Sequence, residues 1–222
     1  ADYTGIMSVG WNADKYGDIS SLDDLLDPKF AGTVALNGKP AEAGAAFNGY
    51  LMANQLAGGD INNLQPGLDY FKKLKEAGNL TTVDVTNGTI DSGQTGVVFD
   101  WTYNQASYKK ELKDKGVNWK YKTFPKAQVV SYYNQAINKD APHPAAARLW
   151  EEYLYTADAQ NLWFKGGANP VLLDSMKEDG TVDQATLKDA ITIEGEPVSY
   201  TNDDSTRITE WLQNNWDKTI GN

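Results

Sequence analysis

An acid and two aromatic residues follow an apolar run that is typical of a buried strand. Residues 95–100 (TGVVFD) predict a central strand, and Asp100, Trp101 and Tyr103 lie at its carboxyl end. A carboxylate beside aromatic rings can hold a cation by its charge and by the π faces of the rings. The alternative is that the two rings belong to the core and that Asp100 caps the following helix. We take this strand end as the first candidate binding site.

A second set of candidates lies on the predicted strand 129–138. Successive side chains of a strand point to opposite faces, so only one of Tyr132 and Tyr133 can face a binding site. We favour Tyr133, together with Ser131 on the same face, and the alternative is that both only pack in the fold. Trp11, near the end of the first predicted strand, is a further aromatic candidate, for which a core position is the alternative.

The loop between a predicted strand (33–36) and a predicted helix (41–57) is the third candidate site. In open α/β sheets, ligands bind where strands end and helices begin. Exposed main-chain amides there suit a carboxylate or a phosphonate, whereas an acidic side chain suits an amine. The candidates in this loop and helix start are Asn37, Glu42, Ala43 and Gly44. The alternative is that the small residues only let the helix pack closely against the sheet.

Periodicity and turn residues predict the elements that must position these side chains. Strands are predicted at 4–12, 33–36, 80–85, 95–100, 117–124 and 129–138. Helices are predicted at 22–26, 41–57, 65–76, 87–92, 103–115, 145–155, 158–165 and 205–217. Because no convincing strand follows residue 140, the pattern indicates an α/β unit at 1–138 and a helical region at 139–222.

The composition excludes several classes of function. The chain of 222 residues has a formal net charge of −10, which argues against nucleic acid and against an anionic membrane surface as partners. It contains no cysteine and a single histidine, His143, which lies between two prolines. It also lacks a phosphate-binding glycine loop and a nucleophile–histidine pair, so no enzyme activity, no metal and no cofactor is predicted. No apolar run reaches the roughly 18 residues that a membrane span requires.

Residues 22–38 (LDDLLDPKFAGTVALNG) resemble a signature of bacterial extracellular solute-binding proteins. These are the binding-protein components of ABC importers, in the class that carries polyamines, ferric iron, thiamine and phosphonates. The signature begins with a tryptophan, which is Ser21 here. Further resembling segments are QPGLDYFKKL (65–74), SGQ (92–94), AINKDAPHPAAARLWEEYL (136–154) and QNLW (160–163). Together these segments extend the resemblance over nearly the whole chain.

The resemblance implies a type II periplasmic-binding-protein-like fold, in which hinge strands join two α/β lobes and the solute lies between the lobes. The chain is similar to the C-terminal two-thirds of such proteins and lacks the N-terminal part of lobe one. Residues 1–138 would form lobe two with the hinge strands, and residues 139–222 would form helices that normally pack on lobe one. We therefore expect Trp150, Trp163 and Trp211 to expose an apolar patch, which a homodimer could cover.

The resemblance also implies a function, that of the non-enzymatic substrate-binding component of an ABC importer. Such a protein is periplasmic or extracellular and has a membrane permease as its partner. Polyamine binders use several acids, of which this chain offers Glu42 and Asp100, and ferric binders use a tyrosine pair where this chain has Trp101 and Tyr103. We expect a small cationic or zwitterionic, polyamine-like solute. The alternative is a truncated fragment that acts as an interaction or assembly module without binding a ligand.

Overall fold

The computed structural model describes residues 1–221 and has a mixed α/β architecture. Its strands are β1 (Tyr3–Asn12), β2 (Val34–Leu36), β3 (Val97–Trp101), β4 (Trp119–Lys122), β5 (Val130–Tyr133) and β6 (Asn169–Pro170). Its α-helices are α1 (Ala13–Tyr16), α2 (Gly44–Leu56), α3 (Gln65–Glu76), α4 (Asn87–Asp91), α5 (Thr102–Glu111), α6 (Pro144–Leu154), α7 (Ala157–Lys165), α8 (Leu173–Glu178), α9 (Gln184–Asp189) and α10 (Asn202–Thr219). Short 3₁₀ helices lie at Leu22–Leu26, Pro28–Phe30, Lys113–Lys115 and Pro125–Ala127. Within residues 1–221, none of the helices is both long and apolar enough to span a membrane.

β1 is shared by two sheets. Its second half pairs antiparallel with β3 on one side and with β4 on the other, and β2 adds to β3 in parallel. Its first half, up to Ile6, pairs antiparallel with β5 and β6. Eight of the ten residues of β1 are buried, which fits a strand covered on both faces. β1 therefore connects a larger sheet, in the order β2-β3-β1-β4, to a smaller sheet of β5, β1 and β6.

The carboxyl ends of β2 and β3 lie at the same edge of the larger sheet. Val34 pairs with Val97 and Leu36 pairs with Phe99 in parallel register. β2 and the paired part of β3, Val97–Phe99, are short apolar runs, as expected for parallel strands that are buried on both faces. Trp101, the last residue of β3, pairs with Met7 of β1. Because Ile6, just before Met7, pairs with β5, β1 passes into the smaller sheet at this same edge.

Two hydrophobic cores cover the two faces of the larger sheet. On one face, α2, α3 and α10 bury aromatic and aliphatic side chains against the strands, including Tyr50, Phe71 and Phe99. On the other face, α4 and α5 cover a smaller core that contains Val98 and Trp119. Packing from both sides therefore fixes the positions of the strand ends.

α10 packs on the core of the larger sheet. Ile208, Leu212 and Trp216 are the buried residues of this helix, and they belong to the same core as α2 and α3. The rings of Trp216 and Phe71 are in contact, with centroids 5.3 Å apart. α10 therefore packs on the α/β unit that the sequence predicts at 1–138. The assignment of α6 to α9 to lobe one stays a prediction.

Three strand predictions differ from the structure. At 80–85 only Leu80 forms a bridge, to Val34, and the residues that follow are mostly exposed. Val85 packs against the smaller core without pairing with a strand. β5 ends at Tyr133 and not at residue 138, because its partner β1 begins at Tyr3, which pairs with Tyr133. β6 follows residue 140, where no strand is predicted, since two residues that end in a proline carry no strand pattern.

α6 and α7 expose an apolar patch, as the sequence predicts in part. The exposed fractions are 70% for Leu149, 56% for Trp150 and 62% for Leu162. Trp163 is half-buried, because its ring stacks on Tyr3 with centroids 4.5 Å apart. Trp211 does not join this patch, since it packs partly buried against the main core. The predicted exposure is therefore confirmed at α6 and wrong at α10.

Candidate functional site

Asp100, near the carboxyl end of β3, is completely buried and accepts four hydrogen bonds. Asn37 and Tyr108 each donate to Oδ2 at 2.8 Å. Asn104 donates to Oδ1 at 2.9 Å, and the main-chain N–H of Trp101 donates to the same oxygen at 2.7 Å. Burial raises the pKa of Asp100, and the four hydrogen bonds oppose this shift. Both oxygens are fully engaged, so the carboxylate has no lone pair left for direct contact with a solute.

The Asn37–Asp100 hydrogen bond joins the two strand ends that the sequence singles out. Asn37 follows β2, whereas Asn104 and Tyr108 belong to α5, which follows β3. The buried carboxylate therefore links the loop after β2 to the first two turns of α5. It fixes the position of the loop after β2 relative to the start of α5.

Five aromatic rings cluster where β1 passes between the sheets. The hydroxyl oxygens of Tyr103 and Tyr133 are 2.6 Å apart, and the two ring planes are inclined by 78°. Tyr133 stacks on Tyr3 with centroids 4.8 Å apart, and Tyr3 in turn stacks on Trp163. Trp101 is buried and lies nearly parallel to Tyr103. Tyr103 and Tyr133 are half-buried, so a solute can reach part of each ring.

Tyr103 keeps its hydroxyl proton at neutral pH. Burial raises the pKa of Tyr103 well above its ordinary value, and the neighbouring Tyr133, Tyr3 and Asp100 add to the shift. A tyrosine with a raised pKa keeps its proton at neutral pH. Tyr103 therefore offers a hydroxyl group and a ring face, and not a phenolate oxygen.

Two glycines let the Tyr103 ring lie close to neighbouring backbone. A Cβ atom on Gly5 would be 2.6 Å from Cε1 of Tyr103 and 3.2 Å from Cε3 of Trp101. Gly167 has a φ of +89°, and a Cβ atom there would be 2.8 Å from Cβ of Ala106 in α5. A side chain at either position would displace Tyr103 or the loop beside it.

Tyr200 is a member of the site that sequence reasoning missed. Its hydroxyl donates to Oδ1 of Asn48 in α2 at 2.7 Å, and its ring meets Phe47 with centroids 5.7 Å apart. Burial raises the pKa of Tyr200, the bond to Asn48 opposes this shift, and the nearby Tyr133 adds to it. No motif marks Tyr200, because the segment before α10 has neither a helix nor a strand pattern.

The start of α2 offers main-chain donors beside the strand end. α2 begins at Gly44 with Ala43 as its N-cap, and no side chain caps its N–H groups. It begins later than predicted, because the N–H groups of Glu42 and Ala43 donate to the carbonyl oxygen of Lys39 in a turn. Gly38 has a φ of +101°, and a Cβ atom there would be 2.5 Å from Cβ of Ala43. Glu42 and Gly44 are exposed, and uncapped amides of this kind suit an anionic group.

Trp11 does not belong to this site. It pairs with Val97, whereas Trp101 is at the other end of the β1–β3 ladder. Its side chain is buried, and Nε1 donates to the carbonyl oxygen of Gly17 at 2.8 Å. The prediction of Trp11 as a binding residue is therefore corrected to a core position.

Ser131 lies on the same face of β5 as Tyr133 and is half-buried. It pairs with Gly5, and its carbonyl oxygen accepts a hydrogen bond from Oγ1 of Thr4 at 2.7 Å. Its backbone therefore helps to fix the smaller sheet. Contact of its side chain with a solute stays a prediction.

Comparison with protein families places the chain by its sequence. The family model for bacterial extracellular solute-binding proteins matches residues 1–190. The chain belongs to this family. The resemblance found in the sequence is thereby confirmed, and the family of this solute-binding protein is one of transport proteins, not of enzymes. No curated protein matches the sequence.

Solved periplasmic binding proteins share the fold of this solute-binding protein at low sequence identity. A periplasmic thiamin-binding protein is similar with a TM-score of 0.70 at 14% identity, over 100% of this chain and 65% of its own. The spermidine/putrescine ABC-transporter substrate-binding protein PotD from Streptococcus pneumoniae gives 0.66 at 13% identity, over 98% and 68%. The periplasmic binding protein AfuA from Actinobacillus pleuropneumoniae, with bound fructose-6-phosphate, gives 0.64 at 20% identity, over 98% and 67%.

These three proteins are longer than this solute-binding protein, which spans 65% to 68% of their lengths. Their names refer to thiamin, to polyamines and to a sugar phosphate, which differ in charge and size. The shared fold therefore defines the architecture and leaves the solute to be argued from the side chains of the site.

Proposed function

We propose that this protein is the solute-binding component of an ABC importer, which captures a small cationic or zwitterionic solute between two lobes and delivers it to a membrane permease. One observation carries the proposal: β1 passes from one sheet to the other beside the Tyr103–Tyr133 pair. A site at such a crossing is covered from both sides when two lobes close around a solute. In this proposal residues 1–138 and α10 form lobe two, and α6 to α9 contribute to lobe one.

The rings and their surroundings favour a positive charge on the solute. The π faces of Tyr103 and Tyr133 attract cations, and both rings are accessible in part. The charge of Asp100 reaches Tyr103, where it adds to the raised pKa of the hydroxyl. Asp100 therefore acts on the solute through space and through the loops that it holds. The formal net charge of −10 also favours the approach of cations.

The start of α2 extends the proposal to zwitterionic solutes. The uncapped N–H groups at Gly44 carry the partial positive charge of a helix N-terminus and suit a carboxylate. The aromatic rings would then hold the ammonium group of the same molecule. A polyamine has no carboxylate, and its ammonium groups need several acids. Because Asp100 already accepts hydrogen bonds from the protein, Glu42 is the acid on which binding of a polyamine would depend.

This role places the protein outside the cytoplasmic membrane, in the periplasm or at the cell surface, either secreted or lipid-anchored. Its partners are the small solute and the permease, and nucleic acid is not among them. No chemical step is part of the proposal, because capture and delivery require only reversible binding and lobe closure.

Three solutes of matched chain length test the proposed charge. Putrescine carries two ammonium groups, 4-aminobutyrate carries one ammonium and one carboxylate, and succinate carries two carboxylates. In calorimetric titrations at equal ionic strength, we expect one of the two amines to bind more tightly than succinate. Glu42→Gln should weaken putrescine more than 4-aminobutyrate, because only the diamine needs a second acid. Tightest binding of succinate would contradict the proposal.

A further inference from the structure

We propose that the solute carries its positive charge on an alkylated nitrogen, as in a quaternary ammonium group, and not on the primary amines of a polyamine. The inference rests on the proposed function and names the class of its solute. Its basis is the combination of half-buried tyrosine rings with a neighbouring carboxylate that is already fully hydrogen-bonded.

The acids near the rings cannot satisfy a primary ammonium group. Such a group has three N–H donors, each of which needs an acceptor once water is excluded. Both oxygens of Asp100 already accept two hydrogen bonds from the protein. Oδ1 of Asp2 has no hydrogen-bond partner among the described residues, but the side chain is 1% exposed, so a solute reaches it only if the groups that cover it move. Glu42 is exposed, so water weakens its pairing with an amine.

The rings meet the needs of an alkylated nitrogen. A quaternary ammonium group has no N–H donor, so it requires no acceptor, and its methyl groups can pack against apolar surface. Tyr103 and Tyr133 meet at 78° with centroids 6.1 Å apart, which presents two ring surfaces at a corner. Their hydroxyl groups share one hydrogen bond, which leaves a single O–H donor for a solute oxygen or water.

Methylation of the amine distinguishes the two kinds of site. Each added methyl group removes one N–H donor that a carboxylate site would use, and it adds apolar surface that an aromatic site can cover. Affinity should therefore rise with methylation if the rings hold the cation. It should fall with methylation if acidic side chains hold it.

Three small probes test the effect of methylation on affinity: ethanolamine, choline, and 3,3-dimethyl-1-butanol, which has the shape of choline without the charge. Calorimetric titrations of the whole chain should give choline an affinity at least about fivefold higher than that of either other probe. The uncharged probe is needed because methyl groups also gain affinity from apolar contact alone.

Substitutions on β5 test whether the preference for choline depends on the ring of Tyr133. Tyr133→Phe keeps the π face and should retain the preference for choline, whereas Tyr133→Leu removes the ring and should abolish it. Tyr132→Leu is the matched control, because Tyr132 is the next residue on the opposite face and is 52% exposed. Circular dichroism of each variant shows whether it is folded.

The possible results separate this inference from the function on which it rests. Tighter binding of ethanolamine than of choline, or equal binding of choline and its uncharged analogue, would overturn the inference and leave a cation-binding function in place. Loss of the preference in Tyr132→Leu and not in Tyr133→Leu would also overturn it. If none of these probes binds, and neither putrescine nor 4-aminobutyrate does, the proposed function fails together with the inference.

Discussion

The hydroxyl oxygens of Tyr103 and Tyr133 lie 2.6 Å apart, although Tyr103 follows a strand of the larger sheet and Tyr133 belongs to the smaller sheet. Tyr103 is in the first turn of α5, directly after β3 of the larger sheet. Tyr133 is the last residue of β5 in the smaller sheet. A side-chain hydrogen bond therefore joins the two sheets at the point where β1 changes partners.

This hydrogen bond should contribute measurably to stability. We expect a double-mutant cycle of Tyr103→Phe and Tyr133→Phe, followed by urea unfolding, to give a coupling free energy of about 0.5–1.5 kcal/mol. Tyr132→Phe is the control, since Tyr132 is 52% exposed and should change the free energy of unfolding little. A coupling indistinguishable from zero would mean that the pair contributes nothing to the junction.

Stability should fall in alkaline solution. Burial raises the pKa of Tyr103 and of Tyr108, so the folded protein holds protons that the unfolded chain releases near pH ~10. This contribution to stability is present below that pH and is lost as the pH rises above it. We expect Tyr108→Phe to lose less stability than the wild type between pH ~9 and pH ~11. Urea midpoints at the two pH values measure the difference, and an equal loss would contradict the assignment.

The Asn37–Asp100 bond should control the position of the binding loops. Asp100→Asn replaces one acceptor oxygen by an amide NH₂ group, which then faces other hydrogen-bond donors. This substitution should lower the free energy of unfolding by about 1–3 kcal/mol. The exchanged pair, Asn37→Asp with Asp100→Asn, restores one donor and one acceptor and should recover part of the loss. Urea unfolding together with titration of the solute measures both effects. Failure of the exchanged pair to recover either quantity would assign Asp100 to solute contact or to α5 alone.

Gly5→Ala should affect the site directly. The added Cβ atom would be 2.6 Å from Cε1 of Tyr103, so the ring must move and the bond to Tyr133 is lost. We expect weaker solute binding, by about tenfold or more if the ring contacts the solute. Gly88→Ala is the control, because its nearest neighbour would be at an ordinary distance of 3.6 Å. Unchanged affinity in Gly5→Ala would exclude Tyr103 from the site.

The apolar patch on α6 and α7 should promote self-association, in line with the homodimer expected from the sequence. Trp150 is 56% exposed and Leu162 is 62% exposed, and both border a groove of about 440 Å³. Sedimentation should show association that rises with concentration and that Trp150→Glu weakens. Val83→Glu is a control at another exposed apolar residue. A wild-type chain that stays monomeric at all concentrations would remove both the homodimer and the assembly-module alternative.

The order of strands and helices was largely predictable, because the signals are local. The bounds of α3 follow from apolar residues at helical spacing, and residues 65–76 form the predicted helix. The strand end at Asp100 follows from a continuous apolar run and the turn after it. The end of β5 at Tyr133 was not predictable, because it depends on where the partner strand begins.

The chemistry of the site depended on tertiary contacts that no local pattern encodes. The sequence shows an acid at Asp100, but the donors that engage it come from a separate loop and from α5. The same holds for Tyr200, which reaches the site from a segment that precedes α10 and bonds to Asn48 across 152 positions of the chain. The sequence therefore predicts which residue types lie at the site, but not which hydrogen bonds they form.

The shared strand also sets the order in which the protein can fold. β1 is the first strand of the chain, but its partners lie between residues 97 and 170. Neither sheet can therefore close around β1 by local pairing, and such distant pairings form slowly.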